Sequence, residues 1–519
     1  MNSSHTKLQT KQRYKIYLKN TVLKGRGLYV KSLDSIPAGS VIFKSSPYAF
    51  VLNYQHWATH CFNCFQYSKK KLKRCLGCQC VFYCTVECQK QDWVNHKNEC
   101  KNLTSFLCQC RRCNVVDEDI TDFLLVARTL RRLRVDKETI PLISLQETLS
   151  KADSECLVTH WNYVESMCVT QELQKDPKVV EALMATQLLG SLVTSKEELY
   201  VWLNMFQCNN FSITDDRMVC IGAGVYAVGS LLNHSCRPNC IYTFDPITKT
   251  QVNLSLKNVL SNGQFWFVEK VCRCVQELKS DDELLIPYID IVFSTKERRQ
   301  MLLALYGFFC SCNVCENPIN LRNSKVSTLD EALRGDRWGR QLPDIYSMYN
   351  PLATVAPYMQ RDRKKILARI IDQLKSPQKM DVLPFETVID WVSTVNKCFL
   401  EYSEQQGNYL YKDELFVLEH VLHPFNLDLY SKRCEVFSLA LEQKNYSLAI
   451  HLGEQMTTFL TIVYQNCPHH PLLGLHYYSM YELYLETGNT VLAKSLLNKT
   501  YDCLKICYGV DHNLVLSLC

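Results

Sequence analysis

Asn233-His234-Ser235-Cys236-Arg237-Pro238-Asn239-Cys240 is the stretch on which the reading of the fold turns. It follows an apolar run, Val225 to Leu232, of the kind a folded chain buries. Polar groups beside buried chain need hydrogen-bond partners, so Asn233 and His234 are expected to be held by other segments. Cys236 points downstream. There Cys310-x-Cys312-x2-Cys315 is one ligand short of a tetrahedral zinc site, and Cys236 is the natural fourth. Between the two lies Glu283-Leu284-Leu285-Ile286-Pro287-Tyr288-Ile289-Asp290. Upstream, Lys24-Gly25-Arg26-Gly27-Leu28-Tyr29-Val30 is a glycine turn entering an apolar run. Glycine lets a backbone approach a ligand closely, although alone such a turn is an ordinary hairpin.

A second cysteine pattern lies between the glycine turn and the Asn-His string. Cys61 and Cys64 form one pair, Cys75 and Cys78 a second, Cys84 and Cys88 a third, and His96 with Cys100 a fourth. Eight soft ligands in four pairs can hold two zinc ions, two pairs per metal. Cys80 falls outside the pattern. So short a segment buries little surface, and zinc should supply most of its folding energy. The chain has 28 cysteines in 519 residues. The polar N-terminus lacks the apolar core of a signal peptide, and no stretch approaches the ~18 apolar residues of a membrane span. A reducing compartment is expected, cytoplasm and nucleus, where clustered cysteines bind metal rather than pair as disulfides. With 47% hydrophobic and 21% charged residues, wholesale disorder is excluded, and a net charge of +6 does not by itself point to nucleic acid. The basic run Lys69-Lys70-Lys71-Leu72-Lys73-Arg74 reads first as a solvated loop, with nuclear import and nucleic acid as the weaker readings.

Around these motifs the texture changes. A helix-like stretch covers roughly 119–205. Strand-like runs such as Phe265-Trp266-Phe267-Val268 recur between 208 and 315, and after 318 leucine, glutamate and tyrosine fall at helical spacing. The last part repeats at an offset of 44 residues. Leu441-Glu442 matches Leu485-Glu486, Asn445 matches Asn489, Leu448-Ala449 matches Leu492-Ala493, Leu460 matches Leu504, and Tyr464 matches Tyr508. The unit resembles a slightly long tetratricopeptide hairpin. Helical arrays usually present a concave binding face, so this region reads as partner selection. Three features read as structural: Cys108-x-Cys110-x2-Cys113 lacks a fourth ligand, Gly222, Gly224 and Gly229 suit tight strand packing, and Cys272 and Cys274 share a strand face.

The run from Cys61 to Cys100, with Gln89, Lys90, Trp93 and Lys97 in place, is similar to the MYND zinc finger. The glycine turn, the Asn-His string and the Tyr288 segment, in that order, resemble the SET domain of protein lysine methyltransferases. Together they resemble the SET-and-MYND (SMYD) family, nearest to members with a long helical C-terminal domain. The resemblance implies an α+β fold: a mostly-β SET core, an inserted finger and helical insert, a zinc-bound post-SET segment, and an all-helical TPR-like C-terminal domain. The expected boundaries are 1–60 for the first SET part, 61–100 for the finger, 101–205 for the helical insert, 206–291 for the core, 292–318 for the post-SET segment and 319–519 for the helical domain.

The resemblance also implies roles. Cys61, Cys64, Cys84 and Cys88 would hold one zinc, Cys75, Cys78, His96 and Cys100 a second, and Cys236, Cys310, Cys312 and Cys315 a third. Lys24, Gly25, Arg26, Asn209, Ser230, Asn233, His234, Tyr288 and Phe308 would bind S-adenosyl-L-methionine. Tyr288 would be catalytic, and Phe211, Tyr288 and Tyr306 would line the channel for the substrate lysine. Methyl transfer to a neutral amine needs alignment more than it needs an acid or a covalent nucleophile, and an aromatic channel suits a lysine stem and a methylated ammonium. Implied partners are protein substrates (histone tails or cytoplasmic proteins), proline-rich peptides at the finger, and chaperone or other peptides at the helical domain, in a monomer away from membranes. Two departures stand out: Asp281-Asp282-Glu283-Leu284 replaces the usual Gly-Glu-Glu-Leu, and Pro287, which has no N–H, precedes Tyr288. They sustain a competing reading, an adaptor in transcriptional regulation that recruits partners without turnover.

Overall fold

Alternating burial shapes the first hairpin. Tyr14–Thr21 (β1) turns Tyr14 and Ile16 inward and pairs antiparallel with Gly25–Ser32 (β2), in register from Tyr14 opposite Ser32 to Thr21 opposite Gly25. Gly25 has φ +67°, left-handed backbone that glycine adopts without strain. In this computed structural model the described residues are 14–21, 25–69, 71–150, 156–167, 176–246, 268–321, 326–342, 371–372, 374–375, 388–389, 391–392 and 410–519. They divide into two units. One comprises the chain to Tyr288, Leu302–Phe308 and Leu504–Cys519; the other comprises Ile289–Met301 and Phe309–Cys503.

The first unit is built on small sheets. Val41–Ser46 (β3) lies between Val268–Cys274 (β12) and Leu157–Val158 (β7), and β12 pairs on its other side with Cys240–Pro246 (β11). A second sheet sets Cys220–Val225 (β9) between Ala49–Leu52 (β4) and Asn210–Thr214 (β8). Lys73–Arg74 (β5) and Phe82–Tyr83 (β6) form a ribbon, and Asn233–His234 (β10) pairs in parallel with Leu285–Ile286 (β13). Helices flank these sheets: Val86–His96 (α1), Cys100–Arg112 (α2), Asp117–Thr139 (α3) and Lys196–Asn209 (α4). In α3, acidic residues 117–119 complement the N-terminal dipole, and burial from Ile120 to Leu130 runs around the helix, as expected of one crossing a core.

The expected helical insert differs in one respect. Residues 157–158 form a strand, parallel to β3 with Ser45 opposite Leu157. Leu157 is buried there and the Thr159 hydroxyl donates to the Ser46 carbonyl at 3.0 Å, so local sheet pairing overrides the helical texture of the surrounding sequence. Of the strand-like run 265–268, residues 265–267 and the basic-run residue Lys70 lie outside the described residues; Val268 opens β12.

From Thr295 onward the described residues are mainly helical. Thr295–Tyr306 (α5) leads out of the motif region. Leu410–Val421 (α6), Leu427–Glu442 (α7), Tyr446–Val463 (α8), Pro471–Glu486 (α9) and Thr490–Tyr508 (α10) follow. The repeat seen in the sequence is a repeat of helices: α7 and α9 are each 16 residues long and offset by 44. Its matched residues do the same work twice. Asn445 Oδ1 accepts from Leu448 N at 3.3 Å and Asn489 Oδ1 from Leu492 N at 3.2 Å, each satisfying a donor at a helix start. Ala449, Ala493, Leu460, Leu504, Tyr464 and Tyr508 are all buried. A Cβ at Gly453 in α8 would collide with the Met480 sulfur of α9, so a larger residue there would force the Met480 side chain to move.

Candidate active site and zinc centres

The Asn-His string lies beside the Tyr288 segment. Ser235 N donates to the Ile286 carbonyl at 3.1 Å, extending the β10–β13 pairing. Leu284 N donates to the Leu28 carbonyl at 2.8 Å and Asp281 N to that of Val30 at 2.7 Å, so the same segment also borders β2. Asn233 joins all three segments. Its Nδ2 donates to the Arg26 carbonyl at 3.2 Å and to Glu283 Oε1 at 2.8 Å. Gly27 is dictated by this junction, because a Cβ there would lie 2.8 Å from Asn233 Nδ2 and 2.9 Å from Glu283 Oε1. Asn239 ties the far end, donating to the Glu283 carbonyl and accepting from Leu285 N, each at 2.8 Å.

Tyr288 is held at both ends. Its N–H donates to Nδ1 of buried His234 at 3.0 Å, and its hydroxyl donates to the Leu232 carbonyl at 2.6 Å. With Nδ1 accepting, the His234 proton sits on Nε2, 3.3 Å from the Cys236 sulfur. The first donor after Pro287, the Tyr288 N–H, is thus taken by a side chain rather than a strand. Rings cluster around this residue. Tyr306 lies 4.8 Å from Tyr288 between centroids, His234 5.3 Å and Phe308 6.3 Å, with Phe308 6.0 Å from His234. Burial pushes the Tyr288 phenol above its ordinary pKa, with the Tyr306 phenol and Glu283 adding to the rise, and it pushes Tyr306 up to about 12. Both phenols are therefore hydrogen-bond donors at neutral pH, not bases.

The remaining expected residues are more dispersed. The Ser230 hydroxyl donates to the Asn209 carbonyl at 2.9 Å, and Asn209 Nδ2 turns back to the Met205 carbonyl at 2.7 Å. The Arg26 guanidinium donates to the Ser166 carbonyl at 2.9 Å. Phe211 packs edge-on to Tyr242 at 5.2 Å. Lys24 lies outside the described residues. Sequence reasoning quoted Glu283 and Asn239 but gave them no role, and it missed Lys270 altogether. The signal for Lys270 was available, since it shares a strand face with Cys272 and Cys274 at period two.

In the finger, Cys61, Cys64, Cys84 and Cys88 bring their sulfurs within 4.8 Å of one another, and so do the ligand atoms of Cys75, Cys78, His96 and Cys100. Cys64 to Cys84 is 3.7 Å, Cys84 to Cys88 3.5 Å and Cys75 to Cys100 3.8 Å. Zinc–sulfur bonds of about 2.3 Å give a tetrahedral edge of about 3.8 Å, so both quartets fit zinc. The Thr85 hydroxyl accepts from Cys88 N at 3.1 Å, capping α1 and setting the last ligand of the first quartet. A Cβ at Gly77 would sit 2.8 Å from the Cys100 sulfur. Behind the second quartet is a buried ionic knot. Arg128 Nε and Nη2 donate to the two Glu99 oxygens at 2.9 and 3.0 Å, Arg128 Nη1 to the Phe50 carbonyl at 3.0 Å, and the Tyr83 hydroxyl to Asp92 at 2.7 Å. It fastens the finger to α3 and β4. Cys108, Cys110 and Cys113 form no such cluster among the described residues; Cys108 and Cys110 project from opposite faces of α2.

A family model described as the MYND finger matches residues 61–100. Over 497 residues the chain is 25% identical to "Histone-lysine N-methyltransferase ASHR1" of Arabidopsis thaliana, covering 95% of this chain and 91% of that protein. Over 501 residues it is 25% identical to "N-lysine methyltransferase SMYD2" of Homo sapiens, covering 94% and 93%. The Xenopus laevis protein "N-lysine methyltransferase SMYD2-A" is 24% identical over 504 residues, covering 95% of each chain. The chain belongs to the SMYD family. For a SMYD protein the two finger quartets are zinc-binding clusters, and the relatives' shared description supports a methyltransferase function. The SMYD likeness runs nearly end to end, so it takes in the helical region as well as the motifs.

Proposed function

We propose that this chain is an S-adenosylmethionine-dependent protein-lysine N-methyltransferase acting on histone or non-histone proteins. The observation that carries the reading is the ring cluster of Tyr288, Tyr306, Phe308 and His234 beside the Asn233 junction. In this reading residues 1–60 and 206–291 are the SET core, 101–205 its insert, 292–318 the post-SET segment and 319–519 a TPR-like domain.

Bound at this site, the cofactor supplies an electrophilic methyl group on a sulfonium. Lys24, Gly25, Arg26, Asn209, Ser230, Asn233 and His234 would hold it, in part through main-chain groups, with Phe308 against its adenine. Phe211, Tyr288 and Tyr306 surround the substrate lysine stem and exclude water, which favours the neutral amine. The protonated Tyr288 phenol orients that amine; its pKa lies too high for it to act as a base. A third zinc is assigned to Cys236, Cys310, Cys312 and Cys315, a four-thiol donor set, on the cysteine pattern of the sequence and the family resemblance. The His234 Nε2–H aimed at the Cys236 sulfur is the outer-shell donor a thiolate ligand requires.

Partner binding has a candidate surface on the finger. A groove of about 400 Å³ is lined by Lys73, Arg74, Leu76, Gln89 and Trp93 among others, and Leu76 and Trp93 are exposed. It suits a proline-rich peptide and keeps the adaptor reading as the alternative function. No helix among the described residues is long and apolar enough to cross a membrane. Action in cytoplasm and nucleus is part of the proposal.

The deciding experiment is calorimetric titration of the zinc-loaded chain with S-adenosylmethionine, followed by transfer of a labelled methyl group to a histone and cytoplasmic protein pool. Stoichiometric binding weakened by Asn233→Ala, with label on lysine, supports the enzyme. No binding by folded, zinc-replete protein leaves the adaptor.

A further inference from the structure

Lys270 is a buried charge-bearing group with no part in the proposed reaction. It stands in the middle of β12, opposite Phe244 on β11 and Ser45 on β3, and its side chain is fully buried. Its Nζ lies 2.9 Å from the ring centroid of Phe211, 4.5 Å from Tyr242 and 6.0 Å from Tyr226, and it has no hydrogen-bond partner among the described residues. Gly229 faces the same atom: a Cβ there would fall 2.5 Å from Nζ, so any larger residue would push the amine from its present position.

An unpaired buried ammonium is expensive, and a leucine or methionine would fill the space without that cost. Burial holds the Lys270 amine well below its ordinary pKa, with Cys272 alone acting in the other direction. Ring faces recover part of the cost when the amine carries charge. Three rings around one amine form the arrangement that receives methylated ammonium groups. Its location gives it meaning. Phe211 is an expected wall of the lysine channel, and it touches Tyr242. Tyr288 packs on Tyr306 and Phe211 on Tyr242, and Lys270 stands against the Phe211–Tyr242 pair.

We propose that Lys270 is a resident plug that fills the Phe211–Tyr226–Tyr242 cage and so limits how many methyl groups a substrate amine can carry in the channel. The effect on methylation state rests on the enzyme reading; the occupancy of the cage does not.

The test compares the full zinc-loaded chain with Lys270→Val, which empties the cage, and Lys270→Met, which refills it without charge. Tetramethylammonium is titrated by calorimetry, and methyl states on a lysine peptide pool are counted by mass spectrometry. Lys270→Val binds tetramethylammonium at least ten-fold tighter than wild type and Lys270→Met does not. The share of di- and trimethylated product rises several-fold with valine alone. Equal tetramethylammonium binding by wild type, no gain in folded Lys270→Val, or a methyl group on Lys270 itself overturns the plug. The wild-type arm decides even where a variant fails to fold. Absence of S-adenosylmethionine binding would sink the enzyme reading while leaving the tetramethylammonium result to judge Lys270.

Discussion

Asn233 and Glu283, 50 residues apart, meet through a 2.8 Å hydrogen bond from the Asn233 amide to the Glu283 carboxylate. The Arg26 carbonyl shares that amide, so one side chain locks three segments in place. Glu283→Gln keeps an acceptor and should preserve cofactor affinity. Glu283→Ala leaves the amide half-satisfied and should weaken S-adenosylmethionine binding by about five- to ten-fold, matching a lost hydrogen bond of roughly 1 kcal/mol. Calorimetric Kd values for the two variants check this, and equal affinities would show that the junction does not shape the site.

Tyr288→Phe removes a hydroxyl that binds the Leu232 carbonyl and, in the proposed reaction, orients the amine. Methyl transfer should fall about 100-fold or more while cofactor binding holds. The readout is single-turnover transfer of labelled methyl beside a binding titration. Transfer at the wild-type rate would remove Tyr288 from the chemistry.

Zinc content should be near three per chain by elemental analysis. Cys61→Ser should lower it by about one and loosen the finger, whose folding depends on the metal. A wild-type value near two would confine zinc to the finger and withdraw the assignment of Cys236 with the later cysteines.

Asn445 and Asn489 make the same cap one repeat apart. Replacing either with Ala should cost about 1 kcal/mol, and the two losses should add because the caps are separate. Denaturant melts of the single and double variants measure it; a loss at only one site would show that the repeat is not energetically equivalent.

Burial lowers the His476 pKa to about 4, against a backbone hydrogen bond to Gly453 that acts in the other direction. Its ring also lies 2.8 Å from the Thr457 hydroxyl. The folded state thus binds fewer protons than the unfolded state between pH 4 and 6.5. Stability rises with pH across that window and is lost on acidification, by roughly 3 kcal/mol at most. His476→Gln should flatten this part of the pH–stability curve, measured by denaturant melts from pH 4 to 7.

The eight finger ligands were legible because chelation imposes short, fixed spacings, and a side chain at each of those positions has little else to do. The 44-residue repeat was legible for a similar reason: caps and seam residues recur wherever helices of equal length stack. The strand at 157–158 was not, because its partner, Ser45, lies more than a hundred residues away and two residues carry no period of their own.

What the sequence by itself determined is therefore local chemistry: the paired spacing of the finger ligands, the 44-residue repeat with its matched Asn445 and Asn489, and the expectation that Asn233, His234 and Tyr288 come together. Only the tertiary structure decided that Glu283 and Gly27 fit the Asn233 amide, that the Tyr288 N–H is answered by His234 after Pro287, and that Lys270 ends among three rings. Those outcomes depend on burial and on distances between strands that meet only after folding. An amine or amide written in a sequence carries no record of which groups will remain within reach once water is gone.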